Sequence, residues 1–326
     1  MLRSLSLSLS VSAPRLSGLV DHRFSSASEL EALLASIGFA AQVLQLEGGV
    51  LQGRFQFLAD QRVALLRLQS SHAISVGCPR KAELICCGLV VEGKPDLASA
   101  HGQPIAAHAV AGVSLALSHS FFQFRSGADA VIALLPKQSL VEQLEICGGE
   151  QCLRWMQSHN QLLLHQQAHQ TLAGLLLHWL ADPSAIPSDP TAAVVRLLND
   201  DTVVAAVPFR RVMRFQLVFD LIALGASGAA EGLDLDQLAD RLSCSRRSLI
   251  QGCKELLGLG PKEVLRIQRL EQVHQALLLH DPKSAVKAQT VNAVAERFGF
   301  QSRGHFAAAY RRQFGQSPAA TLSKRA

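Results

Sequence analysis

Several catalytic signatures are missing from this 326-residue chain. There is no Gly-x-Ser-x-Gly nucleophile turn, no Gly-Lys-Ser/Thr phosphate loop and no Gly-x-Gly-x-x-Gly dinucleotide turn. The sequence therefore offers no support for catalysis and calls for no cofactor. The seven cysteines (Cys78, Cys86, Cys87, Cys147, Cys152, Cys244, Cys253) are odd in number and form no Cys-x-x-Cys. Neither a disulfide framework nor a zinc site is indicated, and reduced thiols fit a cytoplasmic protein. No apolar run reaches the roughly 18 residues that mark a membrane span. Residues 1–16 are rich in Leu and Ser, carry Arg3 and Arg15, and meet no acid before Asp21, a faint likeness to a transit peptide. Leu and Ser alternate from Ser4 to Ser10, so no continuous apolar block of a secretory signal forms. Residues 1–26 are expected to be a disordered tail or a misassigned start.

What is present is a duplication. Ser245, Arg246, Leu249, Cys253, Lys254, Leu257, Gly258 and Pro261 recur 57 residues later as Ser302, Arg303, Phe306, Tyr310, Arg311, Phe314, Gly315 and Pro318. Offsets +4, +8 and +12 from the serine are apolar in both copies and share one helical face, which predicts an inward-packed stripe. Ser245 and Ser302 are good N-caps, the glycines suit a left-handed C-cap, and the prolines suit the first turn of a following helix. The opposite face holds Arg246, Arg247, Ile250, Gln251 and Lys254 in the first copy, and Arg303, Gly304, Ala307, Ala308 and Arg311 in the second. A short helix signal precedes each copy, at residues 234–239 and 290–295, with Asp234 and Gln237 spaced as a capping box. Ala239 and Ala295 suit close helix approach. A helix, a tight turn and a second helix with basic outer residues is the helix-turn-helix plan.

Residues 208–326 resemble the DNA-binding domain of the AraC/XylS transcription regulators. The resemblance is carried by Leu238-Ala239, Ser245, Arg247, Leu249, Gly258, Pro261 and Arg269-Leu270, then by Ala295, Phe298-Gly299-Phe300, Ser302, Phe306, Phe314-Gly315 and Ser317-Pro318. Ser245-Arg246-Arg247-Ser248-Leu249, Leu259-Gly260-Pro261, the connection from Asp281 to Gln289 and the ending Pro318-Ala319-Ala320-Thr321-Leu322 are most like the ethanolamine-operon-regulator type. Cys253 where Phe is usual, Gly252 inside the first reading helix, and Ala308 where a basic residue is common depart from the family. The DNA sequence therefore cannot be carried over from it. The resemblance implies a regulator acting on double-stranded DNA and on RNA polymerase, with a sensor domain that takes a small effector, here a small amine or a cofactor-sized molecule. A first domain that binds a protein partner or only dimerises is the other reading, and an enzyme with a DNA-binding appendage a remote third.

Charge is divided to match. Residues 208–326 hold 18 Lys/Arg against 10 Asp/Glu, whereas residues 1–207 hold 13 against 16. A basic half coinciding with the duplicated pattern is expected where phosphates are neutralised; plain solubility is the blander explanation.

The expected fold class is α+β: a β-rich sensor domain over residues 27–136, a helical linker over 137–207 that could pair into a homodimer, and an all-α DNA-binding domain over 208–326. Ser28 is a plausible N-cap for a helix over 29–37. Residues 51–57 and 64–69 alternate as half-buried strands, residues 82–91 form an apolar run, and residues 113–117, 121–124 and 131–135 continue the strand pattern. Leu164, Ala168, Leu172, Leu175 and Trp179 then mark one face of a long helix, either a dimer seam or a surface packed on the chain's own sheet. Residues 192–198 give a shorter helix, residues 210–224 lead into the last domain, and residues 262–279 form its long connecting helix.

Some constellations have bland explanations. His165 and His169 have the i, i+4 spacing of metal ligands, but no Glu follows His165 and no third ligand is spaced for metal, so surface histidines are expected and no metal. Cys86-Cys87 suits core packing rather than redox sensing, and Cys253 suits a small inward hydrophobe. His72, His101, His108 and His119 either line a sensor pocket or are structural. The roles expected at the DNA are base reading by Arg247, Ile250 and Gln251, then by Arg303, Gly304, His305 and Ala307. Arg246, Lys254, Arg311 and Arg312 are expected on phosphates.

Overall fold

The computed structural model describes residues 19–91, 96–208, 214–279 and 290–323. The first stretch comprises β1 (Val20–Phe24), α1 (Ala27–Ser36), β2 (Gln42–Gln45), β3 (Gly53–Ala59), β4 (Ala64–Ser70), β5 (Ile74–Pro79) and β6 (Leu84–Val90). Next come β7 (Ala98–Ala100), β8 (Gln103–Pro104), β9 (Ala109–Ala111), β10 (His119–Phe124) and β11 (Ala128–Pro136). They are followed by α2 (Lys137–Ile146), α3 (Glu150–Ser158), β12 (His159–Leu164), α4 (Gln166–Ala181), α5 (Pro190–Val195) and β13 (Val203–Pro208). The remainder is helical: α6 (Phe215–Ala226), α7 (Leu235–Arg241), α8 (Arg246–Leu257), α9 (Pro261–Leu279), α10 (Val291–Arg297), α11 (Arg303–Phe314) and α12 (Pro318–Ser323).

Two antiparallel sheets face each other. The larger has eight strands in the order β1-β3-β4-β11-β6-β9-β12-β13, the smaller five in the order β2-β5-β10-β7-β8. The period-2 pattern sorts side chains onto two cores. On the larger sheet Phe55, Phe57, Leu66, Leu68 and Cys86 point between the sheets. Leu58, Leu65, Ile85, Cys87, Val131 and Leu135 point to the other face, where α2 to α5 cover them. Cys86 and Cys87 thus enter different cores, and burial pushes the Cys86 thiol up to about 11 and the Cys87 thiol higher still. These are packing residues.

The smaller sheet is buried on both sides. Val43, Phe122 and Phe124 enter the inter-sheet core, while the neighbouring Leu44 and Phe121 join a cluster with Val218, Leu221, Leu249 and Val264 of the helical half. The helical half therefore docks on the outer face of this sheet. Within it, α9 is a shared wall. Val264, Leu265 and Ile267 belong to the core around α6 and α8, and Leu270, Val273 and Leu277 to the core around α10 and α11.

Several expectations change. Residues 1–18 lie outside the described residues, but Val20–Phe24 is no tail: it pairs with β3 from Val20↔Phe57 to Phe24↔Gly53. The segment expected as a helical linker contributes two strands, β12 and β13, to the edge of the larger sheet. Buried amides hide β12 from hydropathy. Asn160 Oδ1 accepts from Ser114 N at 3.2 Å, and Gln161 Oε1 accepts from Ala106 N at 2.9 Å. The first helix is capped by Ser26, whose Oγ accepts from Glu29 N at 3.1 Å, not by Ser28. The strand expected at 113–117 lies instead at Ala109–Ala111. Of the expected stripe, Leu164 lies in β12 rather than on the helix, Leu172 and Trp179 of α4 are buried in the core of the larger sheet, and Ala168 and Leu175 pack partly buried against it. His169 is buried, not a surface residue, and its ring centroid is 5.5 Å from that of His108. The expected helical start at 210–213 and the connection 281–289 lie outside the described residues.

Candidate nucleic-acid interface

Each half of the duplication is built by its own caps. Asp234 Oδ1 accepts from Asp236 N and Gln237 N at 2.8 and 2.9 Å, while Gln237 Oε1 accepts from Asp234 N at 2.9 Å, completing the capping box of α7. Thr290 Oγ1 caps α10 through Ala293 N at 3.2 Å. Ser245 Oγ accepts from Ser248 N at 3.1 Å, and Ser302 Oγ from His305 N at 3.5 Å. Gly258 and Gly315 both sit at positive φ, +71° and +65°, where a side chain is strained. Their amides donate back to Lys254 and Arg311 carbonyls.

The copies differ at the turn. Cys244 N donates to the Ala239 carbonyl and Phe300 N to the Ala295 carbonyl, so the match runs at an interval of 56 as far as Phe300. It becomes 57 at the serine caps, making Gln301 an additional residue in the second turn.

The inward stripes are buried as the spacing requires: Leu249, Cys253 and Leu257 in one unit, Phe306, Tyr310 and Phe314 in the other. Burial pushes the Cys253 thiol up to about 12, so it serves as a small hydrophobe. In the second unit His274 of α9 stacks on Phe314 with centroids 4.2 Å apart and meets the Tyr310 hydroxyl at 2.5 Å. Tyr310 donates in turn to Thr321 Oγ1 at 2.9 Å.

The outward rows are open. Arg246, Arg247, Gln251 and Lys254 are exposed, with Ile250 half-buried. Arg303, Gly304, His305, Ala308, Arg311 and Arg312 are exposed, with Ala307 half-buried. Two of these side chains are already engaged within the protein. Arg246 Nε lies 3.2 Å from Asp236 Oδ1 across the turn, and Gln251 Nε2 donates to Glu255 Oε1 at 2.8 Å. Glu255 also receives Arg214 Nη1 at 3.2 Å. Sequence reasoning missed Arg214 and Glu255, which are 41 positions apart. The available signal was Gly252: a Cβ there would meet Arg214 Cβ at 2.8 Å, so the glycine is what lets the start of α6 cross α8. Beside α11, Arg266 pairs with Glu263 at 2.5 Å and the Arg269 guanidinium lies 5.4 Å from the Phe300 ring centroid. With Ser302 and His305 they line a shallow depression at the head of α11.

Among the described residues no group of three or more His, Cys, Asp or Glu is placed to hold a metal ion, and no helix is long and apolar enough to cross a membrane.

Residues 238–324 match a family model described as a helix-turn-helix domain. The chain is 36% identical over 94 residues to a probable thc operon regulatory protein of Rhodococcus erythropolis, covering 29% of this chain and 27% of that one. It is 33% identical over 90 residues to the XylDLEGF operon transcriptional activator of Pseudomonas putida, covering 28% and 27%. The match thus spans about a quarter of the length of these curated relatives. Among solved structures, the AraC-like transcriptional activator CuxR aligns over 78% of this chain and 94% of its own, at 14% identity and a TM-score of 0.41. Residues 238–324 thus resemble a helix-turn-helix domain, and the relatives that the chain matches over about a quarter of their length are operon regulators.

Proposed function

We propose that this protein is a transcription regulator that grips duplex DNA with α8 and α11 and is controlled through its β-rich half. The observation that carries this is the pair of separately capped helices with buried inner stripes, open outer rows and one shared wall, α9. Such a pair suits two successive major grooves on one face of the duplex, about 34 Å apart. Arg247 and Gln251 are the base readers of the first unit, since Arg matches guanine and Gln adenine. Glu255 holds Gln251 until the DNA edge replaces it. Arg303 and His305 read for the second unit, where Gly304 and Ala307 supply backbone or apolar contact. Arg246, Lys254, Arg311 and Arg312 hold phosphates and set register.

Control requires an effector that binds one arrangement of the two halves better than the other. An apolar cavity between the two sheets favours a small molecule over a protein partner as that effector. Selection of binding sites from random duplexes with the full chain tests the DNA reading. Two conserved elements about one helical turn apart are expected. Recovery of a single element, or of none, rejects the docking.

A further inference from the structure

A cavity of about 100 Å³ lies between the two sheets beneath α1. Its deep walls are apolar: Leu30 and Leu34 of α1, Phe55, Leu68, Phe122 and Phe124. These walls offer water no hydrogen-bond partner and suit hydrocarbon.

The rim is different in kind. Arg80 and Lys81 follow β5, and no Asp or Glu lines the cavity. Arg80 Nε donates to Ser120 Oγ at 2.9 Å, Nη1 to the Ser114 carbonyl at 2.7 Å and Nη2 to the Gly112 carbonyl at 2.8 Å. All three acceptors are neutral. Burial works first against the cation, and the ionisable groups around it are Cys86, Cys78, Cys87 and His101, none of them a carboxylate. Lys81 Nζ lies 4.8 Å from the Phe39 ring centroid, and Phe39 also lines the cavity. A half-buried guanidinium held only by neutral oxygens leaves its charge uncompensated.

We propose that this cavity binds a small amphipathic carboxylate, its chain inward against Phe55 and Phe124 and its anionic head on Arg80 and Lys81. An ammonium head would meet like charges there, so the amine suggested by likeness to the ethanolamine-type regulators does not suit this site.

The cavity walls are also the docking elements, which is how occupancy reaches the helical half; this second step rests on the DNA-binding reading. On α1, Leu30 and Leu34 face the cavity, while Ser28 Oγ meets Glu271 Oε2 of α9 at 3.4 Å. Glu31 Oε1 accepts from Val43 N at 2.7 Å and so ties α1 to β2. On β10, Ser120, Phe122 and Phe124 line the cavity, and between them Phe121 packs on Phe215 of α6 with centroids 5.6 Å apart.

Calorimetric titration of the full chain with sodium octanoate, octylamine and octan-1-ol tests the pocket. Octanoate should bind at one saturable site at least tenfold more tightly than either of the others. Hexanoate should bind roughly fifteenfold more weakly than octanoate, since each buried methylene is worth about fourfold. Lys81→Gln should weaken octanoate several-fold and leave octan-1-ol unchanged. Arg80→Gln should abolish the preference for the acid, and because Arg80 ties wall carbonyls together, the head-group series and Lys81→Gln stand without it. Octylamine binding as tightly as octanoate, or no saturable octanoate binding, overturns the pocket. The same samples titrated with a selected duplex should show DNA affinity changed at least threefold by octanoate. Octanoate binding with DNA affinity unchanged overturns the coupling alone. No DNA binding with or without octanoate overturns the regulator reading and leaves the octanoate isotherm to decide the pocket.

Discussion

Gln45 and Gln313 hold each other by the main chain. Gln45 Nε2 donates to the Gln313 carbonyl at 3.2 Å, and Gln313 Nε2 donates to the Gln45 carbonyl at 3.0 Å. Both residues are buried, and Gly49 N adds a bond to the Gln313 carbonyl at 3.0 Å. The end of α11 is thereby sewn to the loop between β2 and β3. Gln313→Ala should strand the Gln45 carbonyl and cost about 1–3 kcal/mol. Thermal unfolding should drop by several degrees or split into two transitions, and an unchanged melt would deny the contact any structural weight.

The paired C-cap glycines should respond unequally. A Cβ on Gly258 meets nothing within 4 Å, whereas one on Gly315 meets Val50 Cγ2 at 2.6 Å and Val50 N at 3.2 Å. Gly258→Ala should cost about 1–2 kcal/mol from left-handed strain alone, and Gly315→Ala more because it also pushes on the β-rich half. Denaturant midpoints of the two variants compare them directly.

The serine caps should differ in the opposite direction. Ser245→Ala should cost about 1 kcal/mol. Ser302→Ala should cost less, because its bond to His305 N is 3.5 Å long against 3.1 Å to Ser248 N. Equal losses would show that the longer bond closes up in solution.

At the DNA, Arg247→Ala should cost about 1–3 kcal/mol on a selected site and little on random duplex. Lys254→Ala should weaken both alike and reduce the salt slope by about one ion. Fluorescence anisotropy over a range of salt separates the two roles.

Stability should peak near pH 6.5. Burial first, then the neighbouring Glu31, raises the Glu271 carboxyl from 4.5 to about 8, against the opposing bonds from Ser28. A carboxyl with a raised folded pKa gives stability that is complete below 4.5 and is lost as pH rises to about 8. His101 and His169 act oppositely: burial lowers both from 6.5 to about 4, so stability is lost as pH falls through that range. Glu271→Gln should remove the alkaline limb and leave the acid limb. Chemical denaturation between pH 4 and 9 measures both, and a wild-type curve flat from pH 6.5 to 8 would place Glu271 in water.

The helical third was legible because its rules are local. Ser caps, left-handed glycines and i, i+4 stripes each act within one turn, so residues 245–261 and 302–318 announced their own structure. The open rows were legible for the same reason. What stayed hidden depends on distant partners. β12 and β13 are strands because the edge of the larger sheet was vacant for them, and Asn160 and Gln161 are buried because loop amides far along the chain need acceptors. Ser28 is a better-looking cap than Ser26 until Glu271, from α9, claims its hydroxyl. The reach of Arg214 to Glu255, and the whole docking of the two halves, likewise depend on contacts no single window contains.

Because α9 is packed by both units along its length, it acts as a ruler between the outer rows of α8 and α11. One residue inserted near its middle would swing the second unit by about 100°, and seven would return it to the same side, moved on by about 10 Å. That displacement is close to three base pairs at about 3.4 Å each. On the proposed DNA reading, point substitutions on the outer rows change which bases are chosen, whereas an insertion or deletion in α9 changes the separation of the two half-sites.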